Sequence, residues 1–564
     1  MLAVFLLWLL TSAATLVLGR AGYVAAGRLG LLDARSAPAP EWLCVLGLSL
    51  LTAALQLVSL VMPVNNSLRL GLLAAVLALG WAQRRALAAL LYAQWPRQLR
   101  DWVAAAALGW LLGCLLLLTS MPLVNPDTGL YHLQAIQWNQ LYPVVPGLGN
   151  VHGRLAFNSS WFLTEALLPL PTPAGAAYCL SSYWLALLAA VGVRSVARAA
   201  PGARLVAAAP LLLLVLLLTY FRTWVSSPSP DFVVTVLLLL IFWLLARPGK
   251  AAGTAAAEQE NVLVGLVLGL VAVSVKLSVL PVLLLPTLLL LRRPQPRQLL
   301  AAGALAGLVL GPWLGRNALL SGYLVYPLPA LDWLSVDWKI PRELVQAEYN
   351  VIVNMARQVS RAAAAGPVGD WGGAWWQPWW RAQTAFNQVL LGAVAVSPLV
   401  AAGAGWQRRR AELPAARRWL LGWAVALLGG AFWLASAPDV RFGLGFLLLA
   451  ALWPWLALAQ TAASAAVSRW LARGLLLLLL LWSVNEWRDP LYQLRHQPAA
   501  FARRLGWPDA GPAAATRTVP VPGGVLRVPQ RGAQCWSAPV PCSYHVPAGL
   551  QWRGPSAGDG FRIR

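Results

Sequence analysis

One short segment of the chain concentrates residue types that can bind and deprotonate a substrate. Within about thirty positions it contains Asp127, His132, His152, Arg154 and Asn158. A poorly solvated carboxylate has a raised pKa, which suits a general base acting on a hydroxyl group. The alternative is that Asp127 only caps a helix that begins at the next residue. The sequence leaves both interpretations open.

Two further positions combine charge with an apolar setting. Asp231 follows the run Ser-Ser-Pro-Ser-Pro and either caps the helix that begins at Phe232 or supplies a second acid or a metal ligand. Lys276 interrupts the apolar run 271–281, and a cation at mid-membrane would cost about 2.5–3.5 kcal/mol. A functional role and simple snorkelling to the interface are both open for this lysine.

Two arginines lie beside predicted apolar spans. Arg316 ends an apolar stretch, and Asp439 and Arg441 form an Asp-x-Arg turn between two others. A guanidinium presents a planar fork to phosphoryl oxygens, so a phosphate clamp is one interpretation of the turn. A purely local ion pair between Asp439 and Arg441 is the other.

The composition of the chain indicates that most of it is embedded in a lipid bilayer. Hydrophobic residues make up 59% of the chain and charged residues 11%, and the mean hydropathy is +0.64. A soluble chain could not keep so much apolar surface from water. The net charge of +24 is explained by Arg and Lys in cytoplasmic loops, so no nucleic-acid partner is expected. Nucleotide-binding and zinc-protease signatures are absent. A nucleotide sugar or ATP as direct donor is disfavoured because those donors are cytoplasmic and the polar residues are expected on the outer side.

The apolar pattern predicts an all-α polytopic membrane protein with about fourteen transmembrane helices. The predicted spans are 1–19, 42–63, 66–82, 102–123, 173–193, 203–221, 231–246, 261–275, 277–291, 298–315, 385–405, 419–437, 442–460 and 470–485. The first is interpreted as a retained helix and not as a cleaved signal peptide. The pair at 261–291 could instead be one long helix kinked by Pro281 and Pro286.

Charge asymmetry orients this arrangement. With both termini outside, about half of the 43 basic residues fall in short loops on the inner side, as the positive-inside rule requires. A single crossing at 261–291 would invert every later cluster, so two crossings with Lys276 at the outer tip are favoured. We therefore expect a multi-pass protein of the bacterial inner membrane whose polar residues gather on the outer face.

The chain then divides into six regions. Membrane helices occupy 1–123, 173–315 and 385–485; 124–172 is an outer loop with interfacial helices, 316–384 an outer subdomain, and 486–564 a periplasmic tail that contains short β-like alternations. An oxidising compartment permits a disulfide between Cys535 and Cys542. A metal site using Cys535, Cys542 and His545 is a weaker alternative because a fourth ligand is missing.

These features together resemble the GT-C superfamily of integral-membrane glycosyltransferases. Asp127 with Tyr131 matches the acidic early outer loop of that superfamily, and Pro438-Asp439-Val440-Arg441-Phe442 is similar to its late basic-aromatic turn. The acidic loop follows the fourth span and Asp127 stands alone, which disfavours the metal-dependent variant. Runs such as Leu130-Tyr131-His132 and the stretch 157–162 also resemble an uncharacterised family of bacterial membrane proteins, which implies no activity.

The resemblance implies transfer of a sugar from a polyprenyl-phosphate lipid to a glycan, lipid or protein acceptor. Asp127 would be the base, while Lys276, Arg316 and Arg441 would bind the donor phosphate. His132, His152 and Arg154 would orient the acceptor or the sugar. The substrate-binding residues would also include Tyr131, Asn158, Asp231 and Asp439. No cofactor is assigned, and a divalent cation stays open. The alternatives are a transporter or flippase of lipid-linked saccharides and a non-enzymatic envelope assembly protein.

Sidedness can be tested with reporter fusions. Alkaline phosphatase joined after residue 150 or 439 should be active, because it is folded and oxidised only outside, whereas fusions after 96 or 295 should be inactive. Green fluorescent protein at the same four positions should give the reverse pattern. Opposite sides for the loops that carry Asp127 and Arg441 would refute the single outer site.

Overall fold

The computed structural model describes residues 1–32, 38–200, 203–246, 255–357, 366–368, 375–411, 416–462 and 465–564. Part of the predicted outer subdomain 316–384 therefore lies outside the described residues. Most of the described chain is α-helical, as the apolar pattern predicts.

The α-helices follow one another along the whole chain. In order they are α1 (Leu2–Arg28), α2 (Pro40–Val58), α3 (Asn66–Tyr92), α4 (Leu99–Thr119), α5 (Leu133–Leu141), α6 (Trp161–Leu167), α7 (Tyr183–Arg198), α8 (Arg204–Ala207), α9 (Ala209–Phe221), α10 (Pro230–Ala246), α11 (Ala255–Val275), α12 (Leu284–Leu291), α13 (Pro296–Ser321), α14 (Arg342–Ala356), α15 (Trp376–Arg381), α16 (Ala385–Ala411), α17 (Ala416–Ser436), α18 (Val440–Ala462), α19 (Ala465–Asn485), α20 (Arg488–His496) and α21 (Pro498–Gly506).

Eleven helical segments of the described chain are long and apolar enough to cross a membrane. Two shorter apolar helical segments, α10 and 277–291, coincide with predicted spans. This is a multi-pass membrane protein. The number of fourteen crossings stays a prediction, because several predicted spans fall on helices that are short or only partly described.

The chain reverses direction at Lys276. Beyond this residue a 3₁₀ turn, Leu277–Leu283, leads into α12, which returns along α11. Near the far end of α11, Gln259 Nε2 donates to the carbonyl of Arg293 at 2.8 Å. A single kinked helix would hold these two residues far apart, so that alternative is wrong.

α1 and α2 cross at closer than usual range because glycines face each other there. A Cβ atom on Gly19 would lie 1.9 Å from the carbonyl oxygen of Leu43, and one on Gly47 would lie 1.9 Å from that of Thr15. In a lipid bilayer the hydrophobic effect does not favour association of helices. Small residues allow two helix backbones to approach closely, and the resulting van der Waals contacts stabilise the pair. These two glycines set the packing of the first pair of helices.

The paired polar groups of the bundle lie at two separate ends. At one end Arg194 Nε is 2.7 Å from Glu41 at the start of α2, and Arg418 pairs with Glu258 at the start of α11. The opposite ends of the same two helices reach Ser59, which bonds to Arg316, and Lys276, which pairs with Asp231. At about 1.5 Å per residue, each helix separates the two groups by roughly 27 Å.

The C-terminal region carries the longer β-strands. β1 (Leu170–Thr172) and β2 (Gly175–Ala177) form a hairpin after α6. In the tail, β3 (Thr516–Val521) pairs with β4 (Gly524–Pro529), and β5 (Leu550–Trp552) pairs with β6 (Phe561–Ile563), all antiparallel. A disulfide joins Cys535 to Cys542, while Cys44, Cys114 and Cys179 are free and buried.

Gly47→Leu should destabilise the protein by about 1–3 kcal/mol or more, because its side chain has no space against the backbone of Thr15. The melting temperature of the detergent-purified protein measures this. Gly71→Leu in α3 is the matched control, since no atom lies within 4 Å of a Cβ placed there. Equal stability of the two variants would contradict the close crossing.

Candidate active site

Asp127 lies at the centre of an ion-paired cluster. It directly precedes the π-helical turn Thr128–His132, and its backbone N–H donates to Asn125 Oδ1 at 3.0 Å. Its carboxylate makes no capping bond to this turn. Instead Oδ1 accepts from Arg154 Nη1 at 2.8 Å and Oδ2 accepts from Arg441 Nη1 at 3.2 Å. The capping interpretation of Asp127 is therefore wrong.

Arg441 connects three carboxylates from different parts of the chain. Its Nε lies 2.9 Å from Asp439 Oδ2, and the other oxygen of Asp439 accepts the backbone N–H of Arg441 at 3.0 Å, which caps α18. Its Nη1 also approaches Asp231 Oδ2 at 4.0 Å in addition to Asp127. The local pair expected from the Asp-x-Arg turn exists, but it orients a guanidinium whose other side faces the site.

Asp231 and Lys276 complete the cluster. The Oγ of Ser229 accepts the N–H of Asp231 at 3.3 Å, so this serine caps α10 and the carboxylate of Asp231 stays available. That carboxylate pairs with Lys276 Nζ, which also lies 3.8 Å from the ring centre of Phe442. Lys276 therefore points to a carboxylate and an aromatic face, and simple snorkelling does not describe it.

Glu348 is a member of the cluster that sequence reasoning missed. It lies on α14, and its Oε1 is 3.6 Å from Arg154 Nε. The sequence pattern predicted only an outer subdomain at 316–384. The available signal was helical spacing, because Glu348 follows buried Val345 by three positions and so shares its face of α14.

These contacts form one continuous series, which we call the ion-pair chain. It runs through Glu348, Arg154, Asp127, Arg441, Asp231 and Lys276. Asp127 and Arg154 come from one outer segment, and the four other side chains come from four further parts of the chain. The predicted grouping of Asp127, Asp231, Lys276 and Arg441 at one end of the bundle is therefore what the structure shows.

The two carboxylates on either side of Arg154 differ in their pKa. Burial alone would raise the pKa of Asp127, but Arg441, His132 and Arg154 outweigh it and hold this pKa below its usual value. The raised pKa expected from the sequence is wrong, because the sequence did not reveal two arginines on one carboxylate. Burial raises the pKa of Glu348, and Arg154 only partly offsets it. Glu348 thus takes up a proton more readily than Asp127 does.

The two histidines of the segment are buried and neutral. Burial lowers the pKa of His132 to about 4 and that of His152 to about 3. His152 Nδ1 accepts the backbone N–H of Arg154 at 3.1 Å, so this histidine helps to orient the arginine's loop. His132 packs edge-on against Tyr131 at 4.5 Å, and the Tyr131 ring lies 5.8 Å from the Arg154 guanidinium.

Arg316 and Asn158 form a separate group. Arg316 Nε donates to Asn158 Oδ1 at 3.0 Å, and the two other nitrogens donate to Ser59 Oγ at 2.7 Å and Asn139 Oδ1 at 3.1 Å. Asn158 also exchanges two hydrogen bonds with Trp313. The structure does not bring Arg316 into the ion-pair chain.

The disulfide-bonded loop of the tail covers the segment that begins at Asp127. The N–H of Trp536 donates to the carbonyl of Gly129 at 2.8 Å, and Gln134 Nε2 donates to that of Ala538 at 2.7 Å. A Cβ atom on Gly129 would meet the Trp536 ring at 2.6 Å. Gln534 reaches the carbonyl of Pro126 at 3.0 Å. A substrate must therefore approach Asp127 alongside this loop.

In the described part of the chain, no three His, Cys, Asp or Glu side chains group as a metal site requires. The carboxylates of Asp127 and Asp231 face cationic side chains. Cys542, suggested above as a metal ligand beside His545, is in the disulfide. The carboxylates of the ion-pair chain are therefore paired with arginine and lysine and are not grouped as a divalent cation would need.

Comparison with known proteins gives one family and no activity. A family model described as a domain of unknown function (DUF8201) matches residues 1–448. This range contains the whole ion-pair chain and ends before the tail. No curated protein and no solved structure matches the chain. Functional inference therefore rests on the geometry of the site.

His132 should make stability depend on pH. Its pKa is about 4 in the folded protein and near 6.5 in an unfolded chain, so below pH 6.5 only the unfolded chain takes up the proton. Stability should fall from pH 6.5 to about 4, by roughly 3 kcal/mol at most for this group. His132→Phe should flatten that part of a melting-temperature profile, whereas His496→Phe, which removes an exposed histidine, should not. Parallel profiles for all three proteins would contradict the burial of a neutral His132.

Proposed function

The chain belongs to the DUF8201 family of unknown function, and for this member we propose a glycosyltransferase of the bacterial inner membrane. It transfers a sugar from a polyprenyl-phosphate lipid to an acceptor hydroxyl at the outer face. The acceptor is a glycan, a lipid or a protein. The observation that carries the proposal is the Asp127 carboxylate held between Arg154 and Arg441, with Lys276 next in the series.

The cations of the ion-pair chain suit a lipid phosphate. Arg441 and Lys276 lie at the ends of bundle helices, where a phosphate at the membrane surface is within reach. Arginine binds phosphoryl oxygens through two parallel N–H groups, and lysine adds a point charge. Asp439 fixes the backbone and the Nε of Arg441. The guanidinium is therefore oriented before the donor arrives.

Asp127 supplies the base. Its carboxylate takes the proton of the acceptor hydroxyl, and the hydroxyl oxygen attacks the anomeric carbon of the donor sugar. The bond between that carbon and the phosphate oxygen breaks, and its electron pair leaves on the lipid phosphate. Arg441 and Lys276 stabilise the charge that develops there, as preorganised cations do in other sites.

The low pKa of Asp127 in the resting protein fits this sequence of events. While Arg154 and Arg441 both hold the carboxylate, it is ionised but weakly basic. A donor phosphate on Arg441 would compete with Asp127 for that guanidinium, and loss of the contact raises the carboxylate's pKa. The base thus becomes effective only when the donor is bound.

The remaining side chains position this machinery. Glu348 holds Arg154 from the side opposite Asp127, and Asp231 connects Arg441 to Lys276. Neutral aromatic rings line the segment that begins at Asp127, namely those of Tyr131, His132 and His152. We place the acceptor on this side, beneath the loop that contains Trp536.

Asp127→Asn should reduce transfer by about 10²–10⁴-fold, because the base is lost while the cations remain. Transfer is measured with purified protein and a panel of polyprenyl-phosphate sugars, with total membrane extract as acceptor. Asp127→Asn should keep any co-purifying polyprenyl lipid, whereas Arg441→Gln should lose it, as mass spectrometry would show.

Asp332→Asn is the matched control, since that carboxylate pairs with Lys339 in the outer loop and not with the ion-pair chain. It should transfer at the normal rate. Unchanged transfer by a folded Asp127→Asn protein would refute the role of the base. A native protein that neither binds polyprenyl phosphates nor transfers from them would refute the function itself.

A further inference from the structure

A small cavity beside Arg316 has an unusual set of lining groups. Its volume is about 20 Å³, which is enough for a water molecule or a small ion. Two arginines, Arg154 and Arg316, line it together with Asn139 and Asn158. Among the described residues, no acidic side chain lines the cavity. Its lining is therefore cationic and rich in donors.

Arg316 is a buried cation without a carboxylate. Only 3% of its surface is exposed, and its hydrogen bonds in the described chain all go to neutral oxygens, those of Asn158, Ser59 and Asn139. In the described chain, no ion pair includes it. These bonds use three of the five N–H groups of the guanidinium. Burial of an unpaired charge is costly, so an anion beside Arg316 would relieve a real penalty.

Two more lining residues carry donors without a partner. Ser159 Oγ and Trp138 Nε1 are buried, and neither forms a hydrogen bond to the described chain. The oxygens of Asn139 and Asn158 already accept from Arg316. The lining thus provides an unused N–H and an unused O–H group in addition to the unpaired guanidinium. A water bound there would leave the charge of Arg316 uncompensated, whereas an anion would neutralise it.

We propose that this cavity binds one small inorganic anion of the size of chloride, held by Arg316 and the buried donors Ser159 and Trp138. The site is distinct from the donor-phosphate position at Arg441 and Lys276, because Arg316 lies outside the ion-pair chain. The inference does not rest on the proposed glycosyltransfer.

The position of the cavity gives the anion a structural role. Arg316 lies in the last turns of α13, Ser59 directly follows α2, and Asn158 and Asn139 belong to the segment that carries Arg154. By neutralising Arg316, the anion would stabilise the contacts among these three parts, next to the Arg154 end of the ion-pair chain. The anion would therefore support the position of Arg154 without contacting the substrate.

The test compares the full-length, detergent-purified protein in chloride and in gluconate at one ionic strength. Chloride should give a saturable rise in melting temperature of about 2–5 °C over gluconate. Bromide should replace chloride, and crystals grown in bromide should show its anomalous signal beside Arg316. No difference between chloride and gluconate, or no bromide signal in the cavity, would overturn the proposal.

Variants separate this site from general salt effects. Arg316→Gln should abolish the chloride-dependent rise, and Ser159→Val, which fills the cavity and keeps the arginine, should abolish it too if the first variant fails to fold. Arg69→Gln is the matched control, because Arg69 also bonds to neutral oxygens, those of Leu167, Ala166 and Asn66, but does not line this cavity. It should keep the rise. An equal, Arg316-dependent rise in phosphate would overturn the assignment to a monatomic anion.

Discussion

The sharing of one carboxylate by two arginines holds the functional end of this molecule together. Asp127 accepts from Arg154, which is 27 positions away in the chain, and from Arg441, which is 314 positions away. The first outer segment is thereby fastened to the start of α18. Buried charges are stable only when their partners are complete, because each ion loses its hydration. The rest of the ion-pair chain, from Glu348 to Lys276, satisfies this requirement.

The same constraint explains how the surrounding elements are built. The reversal at Lys276 places a lysine at the tip of a hairpin, where it meets Asp231. Ser229 caps α10, which leaves that aspartate available for the pair. Asp439 caps α18 and fixes Arg441 with its second oxygen. Local capping and long-range pairing thus use neighbouring polar residues for different tasks.

The tail adds a cover that the membrane helices do not provide. Trp536 lies on Gly129, and only a residue without a side chain permits that contact. The disulfide between Cys535 and Cys542 closes this loop directly above the segment that starts at Asp127. Since the family match ends at residue 448, the covered site combines a family core with a region beyond the matched range.

Sequence reasoning predicted the helical membrane class, most of the helices and the grouping of Asp127, Asp231, Lys276 and Arg441. It did so because composition, hydropathy and loop charge are sums over individual residues and do not depend on which residues are in contact in the fold. It missed Glu348 and gave the pKa of Asp127 the wrong direction. It also joined Arg316 to the phosphate-binding group, from which the structure separates it.

The sequence by itself determined that the chain is embedded in a bilayer, and it indicated which end of each helix carries polar groups. Only the tertiary structure decided which charges meet, since a carboxylate's pKa depends on cations a few ångströms away that can lie hundreds of residues distant. It alone assigned Arg154 to Asp127 and left Arg316 among neutral oxygens. Hydrophobicity is a property of each residue, whereas an ion pair is a property of two residues and the fold that joins them.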